Sequence, residues 1–193
     1  VDRNGDGVIS YEQDRGYVGA AAYPKFVGGL SFSGDWKGID LSFLFQAGLG
    51  REVALTGVYS GGIMDNTQMT KPFYHGGNSP KYLVENSWRE DNTNAEFPRL
   101  SIVQASSNNA YSSTFWYRSG DYLRLKNLQI GYTFPQKWMS RIGIDRLRIY
   151  FEGQNLWTVS ELTKFNIDPE QPGVSNGYYP QQRIFSFGVN LAF

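Results

Sequence analysis

The sequence predicts an all-β fold built from the strands of a transmembrane antiparallel β-barrel, with long extracellular loops. Three observations carry this. Five stretches alternate apolar and polar residues with period two, over about 9–11 residues each, the length of a membrane-crossing strand and longer than the roughly five or six of an ordinary soluble strand. The connections between them run short, long, short, long, as tight turns on one side of a membrane and extended loops on the other would. Aromatic residues make up 16% of the chain although its mean hydropathy is −0.43. Rings on a polar background suit a membrane interface or a sugar-binding face better than a soluble core. No run of about 18 apolar residues exists, so no transmembrane helix is expected.

The strands follow in order. The first is Gly28 to Trp36, with Leu30, Phe32 and Trp36 on one face. Lys37-Gly38 makes a tight turn into the second, Ile39 to about Gly48, where Ile39, Leu41, Phe43 and Phe45 alternate with Asp40, Ser42, Leu44 and Gln46. A long Gly-, Asn-, Ser- and Thr-rich segment leads to the third, from about Asp121 to Phe134, with Leu128, Ile130, Tyr132 and Phe134 in phase. "PQKWMSRIGI" is the only stretch with a helical period, and it is short; it connects to the fourth strand, Arg146 to Trp157. The segment containing "DPEQPGVSNGYYPQQ" leads to the last, Arg183 to Phe193, where Phe185, Phe187, Val189, Leu191 and Phe193 face one way and Ser186, Gly188, Asn190 and Ala192 the other. A terminal aromatic behind in-phase apolar positions is the signal that barrel-assembly machinery reads. With the C-terminus placed in the periplasm, counting back puts both short turns there and every long loop outside, so the two orderings agree.

Composition excludes several functions. The 18 basic and 18 acidic residues balance, giving no support for a nucleic-acid partner. There is no Cys, hence no disulfide or thiolate metal site, and the one His, His75, sits in a loop and leaves the serines without a general base. The carboxylate pairs Glu90-Asp91 and Asp168/Glu170 lack a context for acid–base work, and Gly48-Leu49-Gly50 is followed by no helix that would make it a phosphate loop. No enzyme activity is expected.

The opening stretch, "DRNGDGVIS", carries the first two-thirds of a calcium-binding loop, D-x-N-x-D-G-x-I. Asp2, Asn4 and Asp6 supply side-chain oxygens, Gly7 permits the sharp turn, Val8 offers a carbonyl and Ile9 packs the loop. The twelfth position, where such loops place a bidentate Glu, is Gln13, flanked by Glu12 and Asp14. No amphipathic helix flanks the loop, so it is not a helix-opening sensor. A structural calcium clip and a metal-free Asx turn are the two readings. In the long loops, Trp88, Phe97 and Arg99 of "WREDNTNAEFPRL" and Tyr178 and Tyr179 of "NGYYP" are candidates for contact with substrate or a lid, or for packing and interface rings.

Six stretches in order resemble the C-terminal end of SusC/RagA-family TonB-dependent outer-membrane transporters of Bacteroidetes: "DRNGDGVIS…DRGYVG", "YPKFVGGLSFSGDWKGIDLSFLFQAGLGRE", "WREDNTNAEFPRL", "YRSGDYLRLKNLQIGYTFP", "LRIYFEGQNLWTVSEL…DPE" and "YYPQQRIFSFGVNLAF". The resemblance covers nearly the whole chain. It implies a plugged barrel of about 22 strands, of which five cannot close on themselves without bare edges in lipid. A chain that begins at Val1 is then expected to be a piece of a longer polypeptide. The resemblance divides the chain into an extracellular loop, 1–25, and barrel strands with their loops, 26–193. It implies TonB-dependent import of oligosaccharides or peptides across the outer membrane, with a SusD-like surface lipoprotein as lid and the TonB complex as energy source. It also favours Asp14, in Asp14-Arg15, over Glu12 as the last calcium ligand. The rival reading is a soluble, calcium-dependent carbohydrate-binding or adhesion module.

Overall fold

The computed structural model describes residues 2–10, 12–17, 21–55, 80–100, 113–172 and 181–193. His75, Tyr178 and Tyr179 lie outside the described residues. Among the described residues seven strands occur in chain order: β1 (Phe26–Trp36), β2 (Ile39–Leu49), β3 (Glu52–Ala54), β4 (Tyr117–Ser119), β5 (Tyr122–Thr133), β6 (Arg146–Ser160) and β7 (Ile184–Ala192). The five long ones are those expected from the alternation, with ends shifted by up to three residues. β3 and β4 were not legible, because three residues carry no period. Two short helices occur, α1 (Lys81–Glu85) and α2 (Gln136–Met139), with 3-10 turns at Thr114–Trp116, Ser140–Ile142 and Glu161–Phe165. Only the 135–142 region had shown a helical pattern; the others are single turns with too few residues to show one.

The chain forms two compact units. One comprises Val1–Ala22, Glu52–Ser119 and Gln171–Tyr178; the other comprises Tyr23–Arg51, Gly120–Glu170 and Tyr179–Phe193. The second holds a five-stranded antiparallel sheet in the order β1-β2-β5-β6-β7. The Lys37-Gly38 turn joins β1 to β2 with φ of 49° and 90°, the left-handed values that a two-residue hairpin needs to match strand twist.

Register fixes two faces. Cross-strand partners line up as Trp36–Ile39–Tyr132–Ile149–Val189, as Gly34–Leu41–Ile130–Phe151–Phe187, and as Phe32–Phe43–Leu128–Gly153–Phe185. Partners across a ladder share a face, so these rows make one face almost wholly apolar. The intervening rows, Asp35–Asp40–Gly131–Tyr150–Gly188 and Ser33–Ser42–Gln129–Glu152–Ser186, make the other polar. A β-bulge at Lys126 keeps this sorting intact. The register between β5 and both neighbours shifts there, so Leu123 and Leu125 stay on the apolar face with Leu128 and Ile130. Without the extra residue, the two leucines would turn to the polar side. β6 answers with Asn155 at φ 51°, a conformation Asn tolerates better than most residues.

Among the described residues, much of the apolar face is left open: Phe187 is 82% exposed, Trp36 68% and Leu30 66%. The buried apolar residues of this unit, Tyr122, Met139, Leu162, Phe165 and Ile167, lie near the ends of the strands and in their connections. The other unit has a small core of Val53, Leu55, Leu83, Phe97 and Trp116. There Phe97 stacks on Trp116 with centroids 6.2 Å apart and meets Tyr82 edge-on.

Candidate functional site

The polar face of the long sheet carries two charged constellations. At the loop end, Arg124 of β5 is 4% exposed and fully engaged. Its Nε donates to Thr158 Oγ1 at 2.8 Å, Nη1 to Glu170 at 2.8 Å and Nη2 to Asp168 at 3.0 Å. The bulge residue Lys126 donates to both oxygens of Glu170, at 3.2 and 3.0 Å. Arg51, also buried, donates to the carbonyl of Pro169. Three cations thus grip the three residues Asp168, Pro169 and Glu170. The segment reaches them because Ser160 caps the 3-10 turn at Glu161–Phe165, Asn166 reverses the chain in the left-handed region, and Leu162, Phe165 and Ile167 bury beneath it. The arrangement is a latch that draws the start of the β6–β7 connection onto the polar face. It is not an acid–base pair, since both carboxylates are neutralised by cations.

At the turn end, Asp40 of β2 and Arg148 of β6 form a two-pronged pair at 2.9 and 2.5 Å. They reach each other across β5 because Gly131 lies between them. A Cβ there would stand 2.5 Å from both the guanidinium and the carboxylate. The Arg148 guanidinium also lies 4.8 Å from the Tyr150 ring centroid, and that ring covers Gly188. One polar row therefore links four neighbouring strands.

In the other unit, "WREDNTNAEF" folds on itself. Trp88 N–H donates to Phe97 O and Phe97 N–H to Asn86 O, both at 2.9 Å, with a tight turn at Arg89–Asn92. Glu96 accepts from Tyr82 at 2.7 Å and from Arg118 at 3.1 Å. Phe97, 2% exposed, is the core of this unit, which is the packing alternative of the two the sequence left open. Its backbone bridges to residues 86–88 turn the ring inward, a pairing the residue types alone do not reveal. Trp88, 37% exposed, and Arg99, exposed, remain reachable.

The opening loop is closed by its own carboxylates. Asp2 accepts from the N–H groups of Gly5 and Gly7 at 2.7 and 2.8 Å, Asn4 from Asp6 at 3.1 Å, and Asp6 from Val8 at 2.8 Å. Asp14 returns to the loop, accepting from Arg3 N–H at 2.5 Å and Ser10 N–H at 2.6 Å. These two backbone hydrogen bonds hold its carboxyl below the ordinary carboxylate range. Oxygen donors of this hardness on a loop so closed fit the requirements of Ca²⁺. Asp2, Asn4, Asp6 and the Val8 carbonyl are the ligands they would supply, with Asp14 rather than Glu12 drawn in as the fifth. Among the described residues no three Asp, Glu or His side chains already stand together as a metal cluster. The Asn4 side-chain amide also donates to Asp6, at 2.8 Å.

On β7, Phe185, Phe187, Val189 and Leu191 are all at least half exposed, as is Phe193 just after it. Phe151 of β6 stands 6.3 and 5.2 Å from Phe185 and Phe187.

No protein-family model matches the chain. TonB-dependent receptor P3 of Formosa agariphila is 30% identical over the whole of it, and the chain spans 18% of that protein. TonB-dependent receptor SusC of Bacteroides thetaiotaomicron is 26% identical, again over the whole chain, which spans 17% of it. The RagAB peptide importer in its open-open state superposes with a TM-score of 0.60 at 26% identity, covering 90% of this chain and 18% of that one. The chain resembles SusC/RagA-like TonB-dependent receptors in both sequence and fold.

Its sheet is then a stretch of barrel wall, all-β and antiparallel. The apolar face has the character of the lipid side and the polar face that of the lumen. The SusC/RagA-like assignment also accounts for "DPE", one of the stretches that carried the resemblance: it is the strap of the latch. Sequence had marked Asp40 as a polar-phase residue but not Arg124, which shares the even phase of Leu128 and Ile130 and reaches the polar face only through the bulge; their partners lie 108 and 44 residues away. The chain spans about a fifth of the length of the relatives it matches.

Proposed function

We propose that this chain forms part of the wall and rim of an outer-membrane importer that carries oligosaccharides or peptides inward, driven through TonB, beneath a SusD-like surface lipoprotein. The observation that carries the reading is a five-stranded sheet with one largely exposed apolar face and one polar, ion-paired face, in a chain that is RagA-like in fold and SusC-like in sequence. Such a face costs too much in water to belong to a soluble adhesion or carbohydrate-binding module. In the proposed orientation the C-terminus and both short turns are periplasmic. The latch then faces the extracellular side, and Trp88, Arg99, Tyr178 and Tyr179 are the contacts proposed for cargo or lid. The opening loop is a structural calcium clip, with Asp2, Asn4, Asp6, Val8 and Asp14 as its ligands. Bound calcium would supply a fixed positive centre that cross-ties the loop. The residues of β7 act as the assembly signal. No bond is made or broken; the work is binding, lid closure and displacement of a plug outside this chain.

Membrane fractionation of the native source, with the intact mass of the polypeptide, tests this. A species near or above about 100 kDa in the outer-membrane fraction, co-purifying with a lipoprotein, is expected from the roughly fivefold length of the relatives. A soluble species of 21.8 kDa would refute it.

A further inference from the structure

The turn end of the sheet differs from the loop end in how its cations are used. Arg51, Arg124 and Lys126 are all hydrogen-bonded to protein oxygens. Lys37, Lys137 and Arg141 have no ion-pair or hydrogen-bond partner for their side-chain charge among the described residues. The Lys37 ammonium rests 4.6 Å from the Trp36 ring centroid, and Trp36 is a border residue of the apolar face. Lys37 is thus held at the rim of that face and not turned to the polar side.

The β5–β6 turn stands beside it. Thr133 N–H donates to Gly38 O at 2.7 Å, Phe134 N–H to Leu147 O at 2.9 Å and Asp145 N–H to Ala192 O at 2.8 Å, so both turns and the end of β7 are tied into one rim. Within the turn, Met139 is buried and anchors it. Trp138 and Ile142 are 54% and 64% exposed, and Lys137 and Arg141 directly precede them in the chain.

We infer that this rim is a binding surface for anionic phospholipid headgroups, with Lys37, Lys137 and Arg141 meeting the phosphates while Trp36, Trp138 and Ile142 enter the interface. The inference rests on the membrane reading above. Three arguments select lipid as the occupant. The unpaired cations complement an anionic headgroup. They stand where a continuous apolar face ends, the level at which headgroups sit. Each also lies next to an exposed ring or aliphatic group of the kind that partitions to that level. A soluble partner would leave the apolar border wet.

The test uses the full-length receptor reconstituted in phosphatidylcholine bilayers, with trace spin-labelled phosphatidylglycerol or phosphatidylcholine. The motionally restricted population should favour phosphatidylglycerol by roughly fivefold, and about 0.5 M NaCl should weaken the preference. In K37Q/K137Q/R141Q the two lipids should associate equally. Equal association with the unaltered receptor, or a preference undiminished in the triple variant, overturns the inference. Should that variant not enter bilayers, tryptophan quenching in the unaltered receptor and in Trp138→Phe decides. Brominated phosphatidylglycerol should quench more than brominated phosphatidylcholine, with the excess reduced in Trp138→Phe; equal quenching by both lipids overturns the inference. A receptor that fails to float with the vesicles at all refutes the membrane reading instead, so the two failures are distinct.

Discussion

Replacing Arg124 by Ala should unlatch residues 161–170 without unfolding the sheet. The Arg124 side chain is 5% exposed, while those of Asp168 and Glu170 are 14% and 15% exposed. Removing one member of a buried ion pair costs about 3–5 kcal/mol when the other stays buried and unpaired. Here the loss is smaller, for two reasons visible in the geometry. Glu170 keeps Lys126 at 3.0 Å. Asp168 keeps the Glu170 N–H at 2.9 Å and, being partly exposed, can turn to water. About 2–3 kcal/mol is the expected cost, an increase of roughly 30- to 150-fold in the open population of the segment. Leu162, Phe165 and Ile167 still hold its first half, so opening should be greatest towards Glu170. Hydrogen exchange of the full-length receptor reads this directly. The amides of Ile167 and Glu170 should exchange faster by about that factor, and those paired between β1 and β2 should not change. Unchanged exchange at Glu170, or equal acceleration in the β1–β2 ladder, would refute the latch as a local device. In Asp168→Asn/Glu170→Gln the further effect of Arg124→Ala should shrink, because the charges it neutralised are gone.

Three further predictions follow from other sites. Gly131→Ala puts a methyl group into the Asp40–Arg148 pair and should lower barrel stability by about 1–3 kcal/mol; its effect should largely vanish in Asp40→Asn/Arg148→Gln, as read by the temperature at which the folded form is lost on unheated gels. Asp14→Asn should weaken calcium binding to the opening loop far more than Glu12→Gln, by isothermal titration. Because hydrogen bonds lower the Asp14 pKa in the folded loop, its contribution to loop closure is fully present above the ordinary carboxylate range and is lost as pH falls through the lowered value; loop exchange rates that stay flat through that acid range would contradict this. Phe97→Ala should cost about 3–5 kcal/mol of local stability in its unit, whereas Trp88→Ala should leave stability nearly unchanged, with protection of the Leu83 amide as the measurement.

The sequence by itself determined the five long strands, their faces and the Lys37-Gly38 turn. Each rests on a local rule, alternation with period two or the φ requirement of a two-residue hairpin, and neighbouring residues suffice to state it. It also determined that Asp2, Asn4 and Asp6 share one loop, since their spacing is itself the motif. Tertiary structure decided the rest. The bulge at Lys126 was invisible, because a shift of register is defined only against β2 and β6. Phe97 was readable either as a contact or as loop packing, and only its backbone pairing with residues 86–88 places it in the core against Trp116. Asp40 was legible as a charge on the polar phase, but its partner was not, and Arg124 reaches that face only through the bulge. Arg124 meets Asp168 and Asp40 meets Arg148 only because sheet order brings distant segments together, and Gly131 matters only because a long ion pair passes over it. Distances along the chain carry no information about such meetings; the ladder between strands does.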